Sequence, residues 1–249
     1  MEATGAHHGK VYLIGAGPGA QDLMTLRGAR LLAVADVVLH DALVTREMLE
    51  LCPQAIKIAV GKRGGQPSTA QSFIDGQLIA QARLHRIVVR LKGGDPMLFG
   101  RADEELRALE GAGIEFEVVP GITTALAAAA ATKQPLTRRG VARSVAFFTS
   151  STAPSSPEHQ AMPDADTLVQ YMGGREAIAT AHQLLAQGRP GTTPVVVIEN
   201  CSRADQRIAR MDLAKLAQGL GTAHGPVLVM LGEALAQRPL QRCDPIGGT

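Results

Sequence analysis

The chain has 249 residues, 45% of them hydrophobic, which is enough to fill the cores of two domains of ordinary size. Its 25 basic and 23 acidic side chains leave a net charge of only +2, which excludes a chain whose affinity rests on wrapping nucleic acid or coating an anionic membrane; any anion site must be local. Cys52, Cys201 and Cys243 are odd in number and not spaced as metal ligands, so neither a disulfide framework nor a metal site is expected and a reducing cytoplasm fits, while no apolar stretch reaches a spanning length.

Residues 1–10 read as a polar tail without a signal-peptide core. Val11 to Ile14 is a predicted strand ending in a Gly turn, and apolar positions from Asp22 to Ala35 predict a helix with Asp22 as its cap. Strands are predicted at Val37 to Leu39, running into His40 and Asp41, and at Ile87 to Leu91, running into Lys92-Gly93-Gly94-Asp95-Pro96. A helix from Leu98 to Glu110 stops at Gly111, and a strand from Phe116 to Val119 leads to Pro120-Gly121. The Ala-rich segment Thr123 to Thr132 has high helix propensity and little bulk. Strands at Val145 to Phe148, Leu168 to Tyr171, Val195 to Ile198 and Val227 to Leu231, with helices at Ala177 to Ala186 and Leu213 to Gln218, predict a second sheet; Ser150 to Pro163 reads as a surface loop. The alternation predicts an α/β protein of two domains, 11–120 and 142–240 joined by 121–141, each with a mostly parallel sheet flanked by helices.

Two Gly-rich strand ends carry the chemistry. Gly15-Ala16-Gly17-Pro18-Gly19-Ala20 lets backbone N–H groups approach a ligand, but it also satisfies a dinucleotide fingerprint, with Asp41 about 20 residues on. A nucleotide-dependent oxidoreductase therefore stays open at this point. The second, Gly93-Gly94-Asp95, is not required by a dinucleotide fold; Asp95 is placed to accept hydrogen bonds from a ligand or to stabilise a tight turn. Arg101 and Glu104, three apart on the predicted helix, share a face, as an ordinary surface ion pair would.

The blocks GAGPG, HDALV, GKRGGQPS, RLKGGDPMLFGR, VVPGIT, PLTRRG, QYMGG and TPVVVIEN stand in this order. From about Val11 to Leu235 the chain thereby resembles the tetrapyrrole (corrin/porphyrin) methylase family, and within it the branch that C-methylates uroporphyrinogen III. The resemblance implies S-adenosylmethionine, leaving as S-adenosylhomocysteine, in a cleft between the two domains. Its contacts would be Pro18, Gly93, Gly94, Asp95, Leu98, Thr123, Thr124, Met172 and Cys201, mostly small or apolar residues. It further implies a polycarboxylated tetrapyrrole substrate, no metal and a cytoplasmic homodimer. Asp41 and Lys62 stand at positions of a proton acceptor and donor, and Arg101 and Glu104 at positions for substrate binding and proton abstraction. Arg63, Arg138 and Arg139 could grip substrate carboxylates bidentately, as guanidinium does best. A sister methylase with another acceptor and a cofactor-sensing module without catalysis are the remaining alternatives. Ala20, Met97, Asp103 and Arg138 depart from the family, which usually has an acidic residue, an aromatic, Gly and His there.

Overall fold

The computed structural model describes residues 9–61, 71–150 and 161–237. Lys62 and Arg63, with most of GKRGGQPS, lie outside the described residues, as do most of the N-terminal tail and most of the Ser150 to Pro163 segment. The chain divides into two compact units: one runs to Ala128 and includes Asn200–Gln206, the other holds Ala129–Glu199 and the chain from Arg207.

In the first unit β1 (Lys10–Gly15), β2 (Val37–His40), β3 (Ile56–Ala59), β4 (Ile87–Lys92) and β5 (Phe116–Val119) form one sheet in the order β3-β2-β4-β1-β5. Every neighbouring pair is parallel. Its helices are α1 (Leu26–Leu32), α2 (Arg46–Leu49), α3 (Gln71–Leu84) and α4 (Ala102–Gly111), and the division from the second unit falls inside α5 (Thr124–Thr132). Alternate strand residues serve opposite faces. Val11, Leu13, Val37, Leu39 and Val88 pack with Ile74 and Leu78 of α3 and Leu109 of α4, whereas Ile14, Val38, Val89 and Leu91 pack with Leu32 of α1 and Met48 of α2. A sheet covered on both faces needs nearly continuous apolar strands, which is why LIG, VVL and IVV read as unbroken runs. Each fully buried Leu or Ile in these layers contributes about 1.5–3 kcal/mol.

Of the helices expected in this unit, two start elsewhere than expected. Asp22 lies in a short 3-10 turn, Gln21–Leu23, and α1 starts only at Leu26, because the Thr25 hydroxyl accepts the Gly28 N–H at 3.1 Å and caps it. The helix predicted from Leu98 starts at Ala102, since Phe99 and Arg101 take left-handed backbone angles, φ 53° and 55°.

The second unit contains β6 (Val145–Thr149), β7 (Thr167–Tyr171), β8 (Pro194–Glu199), β9 (Arg207–Asp212) and β10 (Val227–Leu231) in the order β6-β7-β10-β8-β9, with α6 (Gly173–Ala186) and α7 (Leu213–Leu216). Only β6 and β7 pair in parallel; the other three pairings are antiparallel, which corrects the expectation for this sheet. The reason is connection length. Asn200–Gln206 alone separates β8 from β9, and a parallel crossover needs about a dozen residues or more. Helix α6 starts at Gly173, four residues before the expected Ala177, and packs Ala177, Ala181 and Leu184 on Leu168, Val195 and Val229.

Candidate functional site

Because all five strands of the first sheet run the same way, the turns after β1, β2, β4 and β5 lie at one edge, where open sheets take their ligands. The turns are locked to one another. Gly17 and Gly94 exchange backbone hydrogen bonds, Gly17 N to Gly94 O at 3.1 Å and Gly94 N to Gly17 O at 2.7 Å. A Cβ on Gly15 would stand 2.5 Å from the Gly121 Cα and 2.7 Å from the Gly94 carbonyl oxygen, so only glycine permits this approach. Gly94 itself has φ +70°, and a Cβ there would meet nothing within 4 Å: that side of the turn is open to a ligand.

Asp95 and Asp41 hold the assembly. Asp95 Oδ1 accepts the Met97 N–H at 2.8 Å and Oδ2 the Gly121 N–H at 2.9 Å, which joins the ends of β4 and β5. Asp41 Oδ1 accepts from Leu43 N at 2.9 Å and Val44 N at 3.2 Å, and Oδ2 from Gly93 N at 3.0 Å, which joins the ends of β2 and β4. Both carboxylates thus act as backbone anchors. Leu98, whose N–H reaches the Asp95 carbonyl at 3.3 Å, and Thr123 and Thr124, at the start of α5, follow directly on these turns.

The Asn200–Gln206 segment completes this edge. Ala20 N donates to the Ser202 Oγ at 3.0 Å, a Cβ on Gly19 would lie 2.9 Å from the Cys201 carbonyl oxygen, and Arg203 Nη2 donates to the Leu43 carbonyl at 2.9 Å. Pro18 and Cys201 are buried here, and burial pushes the Cys201 thiol up to about 11, which disfavours its thiolate. Arg203 was not singled out from the sequence; a lone Arg after a strand carries no local signal for such a clamp.

Arg101 and Glu104 meet in a bidentate pair, Nε to Oε1 and Nη2 to Oε2 both at 2.7 Å, with the side chains 58% and 46% exposed. The Arg101 hydrogen bonds hold the Glu104 carboxyl below its ordinary range. Beside them stands a further carboxylate whose burial the sequence did not reveal. Glu105 is fully buried and accepts from Arg90 Nε at 2.9 Å and Lys92 Nζ at 2.7 Å, both also buried. Burial, then the neighbouring Arg90, lowers the Lys92 ammonium from its usual value, against the pull of Glu105 and Asp41. Two cations at alternate positions of an otherwise apolar strand were the available signal for this group.

In the second unit Met172 is the left-handed N-cap of α6, φ 56° and 52% exposed, Arg138 bridges to Ala142 through its backbone, and Arg139 is exposed in the intervening turn. Among the described residues the non-glycine positions with positive φ are Phe99, Arg101, Lys133, Met172, Asn200 and Ser202. Phe99, Arg101, Met172 and Asn200 fall inside the motif blocks. Such strain costs about 1–3 kcal/mol per residue and gathers at working sites. An open groove of about 550 Å³ bordered by Asp164, Asp166, Arg189 and Glu233 is lined by none of the candidate cofactor, catalytic or substrate residues, and no group of three potential metal ligands is found among the described residues.

Comparison with known proteins gives this edge a context. The family profile "Tetrapyrrole (Corrin/Porphyrin) Methylases" matches residues 10–217. The chain is 45% identical over 229 residues to a uroporphyrinogen-III C-methyltransferase of Pseudomonas aeruginosa, covering 90% of this chain and 94% of that protein. It is also 45% identical over 241 residues to siroheme synthase 1 of Yersinia pseudotuberculosis, of which it spans 51%. Among solved structures, the uroporphyrin-III C-methyltransferase of Thermus thermophilus complexed with S-adenosyl homocysteine matches with a TM-score of 0.79 at 38% identity, over 91% of this chain and 93% of that one.

Proposed function

Because the chain belongs to the tetrapyrrole (corrin/porphyrin) methylase family, we propose that it is a uroporphyrinogen-III C-methyltransferase that uses S-adenosylmethionine to methylate C2 and C7 and so form precorrin-2. One observation carries the reading: a single sheet edge gathers the glycine turns, their two aspartate anchors, Cys201 and, just beyond the second turn, the Arg101–Glu104 pair. The open face of Gly94, with Pro18, Leu98 and Thr123 around the same turns, suits a ligand with an apolar body and polar ends, and Gly93, Gly94, Asp95, Thr123, Thr124, Met172 and Cys201 are the residues to hold it. When bound, S-adenosylmethionine supplies an electrophilic methyl group. The protein's own task is then alignment and proton removal.

Arg101 offers its guanidinium to a substrate carboxylate, and in taking it up releases Glu104 from the bidentate pair. Glu104, ionised and half exposed, then accepts at its Oε the proton that the tetrapyrrole releases elsewhere as the alkylated ring loses its positive charge, the methylated carbon itself being quaternary. Asp41 enters as the anchor of Gly93, with both oxygens engaged by backbone N–H groups. Arg138 and Arg139 serve the remaining carboxylates. The product feeds sirohaem, cobalamin or haem d1 formation, and the enzyme works as a cytoplasmic homodimer, as the family resemblance implies; sedimentation of the purified chain tests the dimer.

The deciding experiment is anaerobic incubation with S-adenosylmethionine and enzymatically generated uroporphyrinogen III, followed by mass spectrometry of the tetrapyrrole. Gain of two methyl groups is expected. Cofactor binding without methyl gain would assign the chain to another acceptor.

A further inference from the structure

Strand alternation places Val88, Arg90 and Lys92 of β4 on the face covered by α3 and α4, and Glu105 projects from α4 into that layer. The three charged residues are 4%, 3% and 0% exposed. Folding does not demand such a group, since apolar side chains of similar volume fill a buried space as well or better. What the ions add is direction. Both Glu105 oxygens are committed, and Arg90 Nη1 also donates to the carbonyls of Leu91 at 3.2 Å and Leu39 at 3.5 Å, so α4 is registered against β4 and β2 together.

The two sides of this junction are not equally supported. The Gly93–Asp95 turn has anchors of its own in Asp41, Gly17 and Gly121. The start of α4 has no side-chain cap and is entered through the left-handed Arg101. We propose that Glu105 is a positioning residue: through Arg90 and Lys92 it sets the place of the first turn of α4, and so of Arg101 and Glu104, relative to the Gly93–Asp95 turn. The inference rests on the assignment of Arg101 and Glu104 to the substrate. Loss of Glu105 then harms turnover far more than cofactor binding.

The test uses the full chain with two variants, Glu105→Gln and the charge-free triple Arg90→Met, Lys92→Met, Glu105→Leu. S-adenosylhomocysteine affinity is measured by calorimetry, kcat and KM with uroporphyrinogen III by mass spectrometry, melting by circular dichroism, and the α4 amides of residues 102–106 by hydrogen exchange. In both variants cofactor affinity holds while kcat falls about 100-fold, the scale of a 1 Å misplacement, and exchange over 102–106 quickens. The triple variant leaves no charge unpaired and melts like the parent, so its lost turnover is not lost folding; it also decides the matter if Glu105→Gln does not fold. A triple variant with parental kcat and parental exchange overturns the proposal, as does a Glu105→Gln variant whose cofactor affinity falls as far as its kcat. Should the parent itself transfer no methyl group, the functional reading fails while the exchange comparison still decides: faster exchange upholds the positioning role and unchanged exchange overturns it.

Discussion

Arg101 and Glu104 face each other through two parallel hydrogen bonds of 2.7 Å, one at each carboxylate oxygen, on the exposed first turn of a helix that no side chain caps. An exposed pair of this kind contributes at most about 1 kcal/mol to stability. Its value lies in chemistry. Arg101→Ala is expected to leave the melting temperature almost unchanged, to let the Glu104 carboxyl rise toward its ordinary value of 4.5, and to move the acid limb of the pH–rate profile upward. Turnover should fall about 10²- to 10⁴-fold, as when an acid–base partner is lost, with S-adenosylhomocysteine affinity kept. Steady-state kinetics and calorimetry on one preparation check this; equal losses in both would remove Arg101 from the substrate side.

Asp95→Ala should show the opposite pattern. It leaves the N–H groups of Met97 and Gly121 without their acceptor, at a cost of about 1–3 kcal/mol, and loosens the turn that faces the cofactor. Cofactor affinity is expected to drop at least tenfold, and kcat at saturating cofactor much less. Unaltered cofactor affinity in a variant that melts lower would make Asp95 a purely structural anchor.

Gly15→Ala probes the contact between turns. The added methyl group would enter the Gly121 backbone, and no flexible side chain there can yield. Overpacking of this kind costs about 1–3 kcal/mol, and the displaced turns should bind cofactor poorly. Gly76→Ala is the control, since a Cβ there meets nothing within 4 Å; urea titration should separate the two variants clearly.

The strand ends were readable in the sequence because mostly apolar runs are cut off there by Gly, Pro or a polar residue, and four such cuts fall at one edge. Helix starts were less readable. Thr25 and Asp22 are both good caps three residues apart, and nothing local shows that Phe99 and Arg101 adopt left-handed angles. Strand β9, Arg-Ile-Ala-Arg-Met-Asp, escaped because it is an edge strand with one partner and mostly exposed side chains. Glu105 was hidden by distance along the chain: its partners lie 15 and 13 residues away on a strand whose pairing faces only the fold defines.

Glu199 gives a pH prediction from the second unit. Its Oε1 accepts the backbone N–H groups of His224 at 2.6 Å and Gly225 at 2.7 Å, and its Oε2 accepts from Arg207 Nε at 2.8 Å, which closes the β8–β9 hairpin onto the segment entering β10. The His224 N–H above all, with Gly225 and Arg207, holds this carboxyl below its ordinary value of 4.5. A group with a depressed folded-state value binds its proton less readily when folded than when unfolded. Its contribution is therefore complete above the unfolded value and is lost as pH falls through the folded one. Melting curves from about pH 7 to pH 3 should show the parent losing stability in acid, and Glu199→Gln should start lower at neutral pH with a shallower acid slope. Parallel curves for the two proteins would mean that the acid sensitivity lies elsewhere, with Asp166, whose carboxyl is held down by the Arg143 and Ser144 N–H groups and the Ser144 hydroxyl, as the next site to neutralise.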